Sequence, residues 1–271
     1  MSEKRIAVTL TAVALLGSAT LVAAHETWLL PSSMRVPVGR TVALSLTSGM
    51  AFPADDFAID PKRIARAEIR LHGKLEQLRG GQSRPTSLRY TWTPRAPGVA
   101  MIAVELAPKT LTLEPRLIEE YFQEIHASPS IRAQWASIPE PKRWRESYVK
   151  HATSFVRVGA PSADSSWASP VGLGLEIVPE RDPTALAAGD VLPVRVLRHG
   201  APLPGFAVGA RREGQSGESF VTTDAAGRAS VRLPRVGRWL LFGTDLRRAK
   251  EPGLEWRSDF VTTTIGVRGK R

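Results

Sequence analysis

The chain has 271 residues, a formal net charge of +11, 42% hydrophobic residues and no cysteine. That length allows one large domain or two of ordinary size, and the missing thiols exclude disulfides, thiolate metal sites and a cysteine-linked lipid anchor. The positive charge is mostly arginine spread along the chain without interleaved aromatics. It therefore argues against nucleic acid as a partner and is compatible with anionic envelope surfaces.

The chain opens like a secretory signal. Lys4 and Arg5 form a short basic region, residues 6–16 are apolar, and Val22 and Ala24 occupy the −3 and −1 positions of a cleavage site. Residues 6–24 carry no charge and are long enough for an uncleaved anchor, but their small residues and the cleavage site favour removal. Cleavage after Ala24 makes His25 the first residue of an exported, periplasmic chain. A terminal histidine offers a metal its α-amine, with a pKa of about 7.7–8.0, and its ring, at about 6.5. Imidazole suits copper, nickel and zinc, and a second histidine from elsewhere completes a three-nitrogen brace.

From Trp28 onward the chain reads as short strands. Thr41-Val-Ala-Leu-Ser-Leu-Thr47 alternates with period two, Gly49 opens a loop rich in Pro and Asp, and Ile64-Ala-Arg-Ala-Glu-Ile-Arg-Leu71 begins a hairpin. Leu88 to Pro94 and Val99 to Leu106 flank a tight turn. Strands at this spacing predict a β-sandwich.

The pattern changes at Glu114-Pro115, which opens a helical insertion expected over residues 115–152. Leu117, Ile118, Tyr121, Phe122 and Ile125 share one helix face, with Glu119, Glu120 and Glu124 opposite. Ser128-Pro129 and Pro139-Glu-Pro141 divide the insertion, and its last helix is expected over residues 142–152. There Trp144, Tyr148 and His151 fall on one stripe, which makes His151 the candidate second metal ligand. A Ser/Ala/Pro-rich linker, residues 161–171, then separates an N-terminal sandwich (25–160) from a second all-β unit (172–271). The fold class is all-β with a small helical insertion, in two β-sandwich domains.

No G-x-S-x-G, H-E-x-x-H or Walker motif is present, and no catalytic residues are assigned. His72 and His199 each precede a glycine in a turn and read as surface residues. His126 ends an amphipathic helix, where a cationic ring suits the C-terminal dipole. Asp55-Asp56 lacks the further ligands of a calcium loop.

Four ordered segments carry a family resemblance: Ala24-His-Glu-Thr-Trp-Leu-Leu-Pro31; Arg145-Glu-Ser-Tyr-Val-Lys-His-Ala152; Leu175-Glu-Ile-Val-Pro with Gly189-Asp-Val-Leu-Pro-Val-Arg-Val and Gly200-Ala-Pro-Leu-Pro-Gly; and Gly237-Arg-Trp-Leu-Leu with Trp256-Arg-Ser-Asp-Phe-Val-Thr-Thr-Thr. Together they resemble the bacterial periplasmic family known as domain of unknown function 4198, some of whose members are described as nickel or cobalt uptake components. The resemblance implies a two-part β protein whose second part is similar to transthyretin-like or carboxypeptidase regulatory modules. Its A-H-x-x-W pattern is met by Ala24, His25 and Trp28. An amino-terminal chelate with histidine third cannot form from His25-Glu26-Thr27.

The functional expectation is a non-enzymatic exported protein that binds one divalent ion (Ni, Co or Cu) through His25 and His151, with Glu26, Trp28 and Tyr148 as neighbours. Its expected partner is a metal-uptake membrane system or an outer-membrane receptor, with no transmembrane segment left after signal removal. Two alternatives stand beside it: an interaction module for a protein or envelope partner, and a copper histidine-brace oxygenase.

Overall fold

The computed structural model describes residues 25–215 and 217–270. The signal segment expected over residues 1–24, and its cleavage, lie outside them. Among the described residues no helix is long and apolar enough to cross a membrane.

Among the described residues the fold is mostly β, in three sheets. A ten-stranded sheet forms the middle layer. Its main path runs Glu218–Thr222, Ala207–Arg212, Gly237–Arg248, Trp256–Val267, Arg145–Val158, Gly98–Leu106, Ile64–Leu71 and Lys74–Gln77. A front sheet built on Glu26–Pro31, Val42–Gly49 and Leu88–Trp92 covers one face, and a rear sheet built on Leu175–Pro179, Asp190–Arg198 and Arg228–Leu233 covers the other.

Side chains alternate across a strand, so one middle strand serves both layers. From Gly98–Leu106, Ala100, Ile102 and Val104 join Leu29, Leu44, Leu46 and Tyr90 in the front core. The intervening Val99, Met101 and Ala103 join Leu175, Ile177, Val194 and Val231 in the rear core. The two halves of the chain thus meet in one sheet. Trp256–Val267 pairs in parallel with Arg145–Val158, with Glu146 opposite Trp256 and His151 opposite Val261.

Two short hairpins use histidine in the turn. His72-Gly73 links Ile64–Leu71 to Lys74–Gln77, and His199-Gly200 links Asp190–Arg198 to Ala201–Pro202. Both residues of each turn have positive φ (54° and 71°, 47° and 79°), the type I′ geometry of two-residue hairpins.

The helical insertion is shorter than expected. Helix α1 spans Ile118–Glu124 and helix α2 spans Pro129–Ala136, the latter capped by the Ser128 hydroxyl accepting from the Ile131 N–H. The helix expected over residues 142–152 is absent: Arg145–Val158 is a fourteen-residue strand, buried almost throughout. Strands covered on both faces show near-continuous apolar burial instead of alternation, and Trp144, Tyr148 and His151 mimicked a helical stripe. In a strand, Tyr148 and His151 point to opposite faces.

The insertion is fastened by Glu146. Its buried carboxylate accepts hydrogen bonds from Tyr121 Oη and Trp144 Nε1, each at 2.8 Å, and from Ser258 Oγ. Burial raises the pKa of Glu146, and these three donors oppose the rise. Trp144 stacks on Trp256 at 4.6 Å, closing an aromatic cluster between α1 and the middle sheet.

Candidate functional site

The sequence-predicted pair is divided between the two faces of Arg145–Val158. Lys150, buried on the front face, donates its Nζ to the His25 carbonyl. The next residue, His151, points to the rear. Its Nε2 lies 3.0 Å from Asp259 Oδ1 and its Nδ1 lies 3.1 Å from Glu105 Oε2. Burial alone would lower the His151 pKa, but Asp259 and Glu105 outweigh it and raise the value. Asp259 is also held by Arg247 Nη2 at 2.6 Å. His151 is therefore a clamped ionic residue of the interior, and the structure does not bring it together with His25.

The remaining named neighbours are dispersed. Trp28 is fully buried, edge-on to Phe52 at 5.7 Å, in a small core with Leu240 and Phe242. A Cβ at Gly49 would meet the Trp28 ring at 2.8 Å, so the chain needs glycine there to seat the tryptophan. Tyr148 belongs to the aromatic cluster under α1. Glu26 alone remains beside His25.

What surrounds His25 is a pocket of about 250 Å³ lined by His25, Glu26, Met50, Gln123, Glu124, His126, Arg211 and Glu218. Five separate elements converge there: the start of the front sheet, the loop after Val42–Gly49, the end of α1, the edge strand Glu218–Thr222 of the middle sheet and its neighbour Ala207–Arg212. His25 stacks face to face on Phe57 with ring centroids 5.1 Å apart. His126, at φ 50° just past α1, stacks on Phe220 at 3.5 Å. Stacking engages ring faces and leaves the in-plane nitrogens free. Neither imidazole makes a hydrogen bond among the described residues. Burial lowers the His25 pKa and so does Lys150, with Asp56 opposing, which favours the neutral ring that a metal ligand requires.

The carboxylates are less available. Arg211 Nη1 sits 3.2 Å from Glu26 Oε2, its Nε donates to Glu218 Oε1 at 2.8 Å, and its Nη1 donates to the Met50 carbonyl at 3.3 Å. The Glu26 pKa is raised by burial against the pull of Arg211. Glu124 is raised by burial and by repulsion from Glu120 and Glu26. Behind the pocket, burial and Arg63 push the Lys150 ammonium down to about 7, with Glu26 opposing, and its amine lies 5.6 Å and 5.5 Å from the Tyr148 and Phe260 ring centres. Among the described residues, no group of three or more His, Asp and Glu side chains is arranged to hold a metal ion.

His126, Met50 and Arg211 are the residues that reading the sequence missed. His126 carried a helix-end signature that accounted for it locally, and Met50 stood in a loop with no motif. Their only signal was that five histidines are few and two of them sit in I′ turns.

Fold and site together define a three-layered β protein with an imidazole-bearing pocket where its first strand begins. The chain belongs to the family described as Domain of unknown function (DUF4198), whose model matches residues 22–242. No curated protein matches it. Among solved structures it is similar to the D0-D1 domain of Intimin, at 10% identity over 90% of this chain and 97% of that one, with a TM-score of 0.22. The Yersinia pseudotuberculosis adhesin InvE aligns at 10% identity over 90% of this chain and 59% of its own, with a TM-score of 0.24. Trypsin-activated alpha-2-macroglobulin from Escherichia coli aligns at 13% over 89% of this chain and 15% of its own, also with a TM-score of 0.24. Likeness at that level carries no functional argument.

Proposed function

We propose that this is an exported, periplasmic protein that binds a transition-metal ion and supports its uptake or handling, with the pocket at His25 as the site. The observation that carries the reading is the pairing of two hydrogen-bond-free imidazoles, His25 and His126, on one pocket. Removal of residues 1–24 adds the α-amine of His25 as a further nitrogen. Lys150 serves as a positioning residue, since its bond to the His25 carbonyl ties the first residue to the middle sheet. His151 takes no part as a ligand, because both of its nitrogens face carboxylates.

The test is calorimetric titration of the chain beginning at His25 with Cu, Ni, Co and Zn salts. At least one should bind tighter than about micromolar, roughly −8 kcal/mol. His25→Ala, His126→Ala and an extra residue placed before His25 should each weaken it, whereas His199→Ala should not. If no ion binds in that range, the reading is wrong and the interaction-module alternative replaces it.

A further inference from the structure

The lining of the pocket also bears on which ion it takes, an inference that rests on the metal-binding reading. Divalent nickel, cobalt and zinc fill their coordination with nitrogen and oxygen donors, and carboxylates help neutralise their charge. Here two of the three carboxylates lining the pocket, Glu26 and Glu218, are already engaged by the one guanidinium of Arg211. Two of the three oxygen donors that would suit a hard or borderline ion are thus tied up by Arg211, and no three-member His/Asp/Glu cage exists among the described residues.

What stays open is softer. Met50 lines the same pocket and is 58% exposed. Its backbone is fixed from both sides. The Met50 N–H donates to Asp56 Oδ2 at 3.2 Å, and its carbonyl accepts from Arg211 at 3.3 Å. The side chain is thereby held at the pocket wall by its main chain and not by packing. A thioether and two imidazoles with no hydrogen-bond partners form the donor set that selects cuprous copper in a protein without cysteine. Cu(I) also accepts low coordination numbers, so two or three such donors satisfy it where a divalent ion would need more.

We infer that the pocket's ion is Cu(I), held by His25, His126 and the Met50 thioether, with Arg211 keeping Glu26 and Glu218 from serving as oxygen donors to divalent competitors. The test uses the chain beginning at His25 under ascorbate, competing for Cu(I) against a chromophoric cuprous chelator, with parallel titrations of Zn(II) and Ni(II). Cu(I) should bind more tightly than either, and Met50→Leu should weaken Cu(I) at least tenfold while leaving Zn(II) unchanged. X-ray absorption of the Cu(I)-loaded protein should show sulfur in the coordination shell, lost in Met50→Leu. Arg211→Gln should release Glu26 and Glu218 and raise Zn(II) affinity relative to Cu(I). Tighter binding of Zn(II) or Ni(II) than of Cu(I), or a Met50→Leu protein with unchanged Cu(I) affinity, overturns the assignment and leaves the metal-binding reading standing. If no ion binds at all, both fall together.

Discussion

On the rear face of Arg145–Val158, His151 lies between Glu105 and Asp259, and Arg247 completes the network behind Asp259. On the front face, one residue earlier in the chain, Lys150 reaches the backbone of His25, whose ring, like that of His126, has no hydrogen-bond partner among the described residues. The same residue type thus appears in two electrostatic settings separated by one sheet. Behind the sheet, the buried His151 and Asp259 are held by charged partners. In front, donors are stacked on aromatic faces and left open toward a cavity. The difference teaches that a histidine's value as a ligand is set by what its nitrogens already hold, not by its proximity to a promising motif.

The comparison depends on the middle sheet being one continuous structure, so the largest effect expected comes from dividing it. A fragment covering residues 172–271 keeps Trp256–Val267 but loses Arg145–Val158, its parallel neighbour, and removes Val99, Met101, Ala103 and Phe155 from the rear core. The exposed strand edge and apolar surface should leave it without a cooperative melt by circular dichroism, whereas the chain beginning at His25 melts cooperatively. A cooperative melt for the fragment would make the two faces independent domains and dissolve the contrast between them.

Within the intact chain, His151→Ala should cost the most. It leaves Glu105 and Asp259 facing each other without the cation between them, and breaking a buried pair in this way costs about 3–5 kcal/mol. Denaturant titration should read that loss, while metal affinity of the folded fraction stays unchanged. A fall in metal affinity without a fall in stability would return His151 to the list of ligands.

The strands were legible wherever one face met water. Val42–Gly49 shows the alternation directly, and α1 announces itself through Ile118, Tyr121 and Phe122. Arg145–Val158 was not legible as a whole because both of its faces are covered, and periodicity vanishes when every position is buried. The site was half legible. His25 and Glu26 stood out through the cleavage pattern. Met50, His126 and Arg211 come from distant stretches that only strand pairing and the end of α1 bring to one pocket. No local pattern encodes that convergence.

The clamp also predicts a pH profile. The raised pKa of His151 means its contribution is full below the unfolded imidazole value, about 6.5, and is lost as pH rises through the folded value. The lowered pKa values of Asp259 and Glu105 work at the other end. For Asp259 the fall is driven, against burial, by His151 and Arg247. For Glu105 the hydrogen bond to His151 leads. Their contribution is full above the ordinary carboxylate range and is lost as pH falls through the folded values. Stability should therefore peak in the mildly acidic region between these limits, and His151→Gln should flatten the alkaline limb. An alkaline limb of equal slope in wild type and variant would show that His151 is not charged in the fold.

The smallest effect offers the cleanest comparison, because it uses two histidines in the same backbone conformation. His199 (φ 47°) and His126 (φ 50°) both occupy the left-handed region, which costs an ordinary residue roughly 1–2 kcal/mol and asparagine less. His199→Asn creates the Asn-Gly pair that type I′ turns favour, so it should stabilise the chain by a few tenths to about 1 kcal/mol and leave metal affinity as it was. His126→Asn relieves the same backbone cost, though it gives up the stack on Phe220, so its stability should change by a similarly small amount. It also removes an imidazole from the pocket, and Cu(I) affinity should drop by at least tenfold. If both substitutions leave Cu(I) binding equally intact, His126 is held in its strained turn for reasons unrelated to the pocket, and the front face is no more a ligand site than the rear.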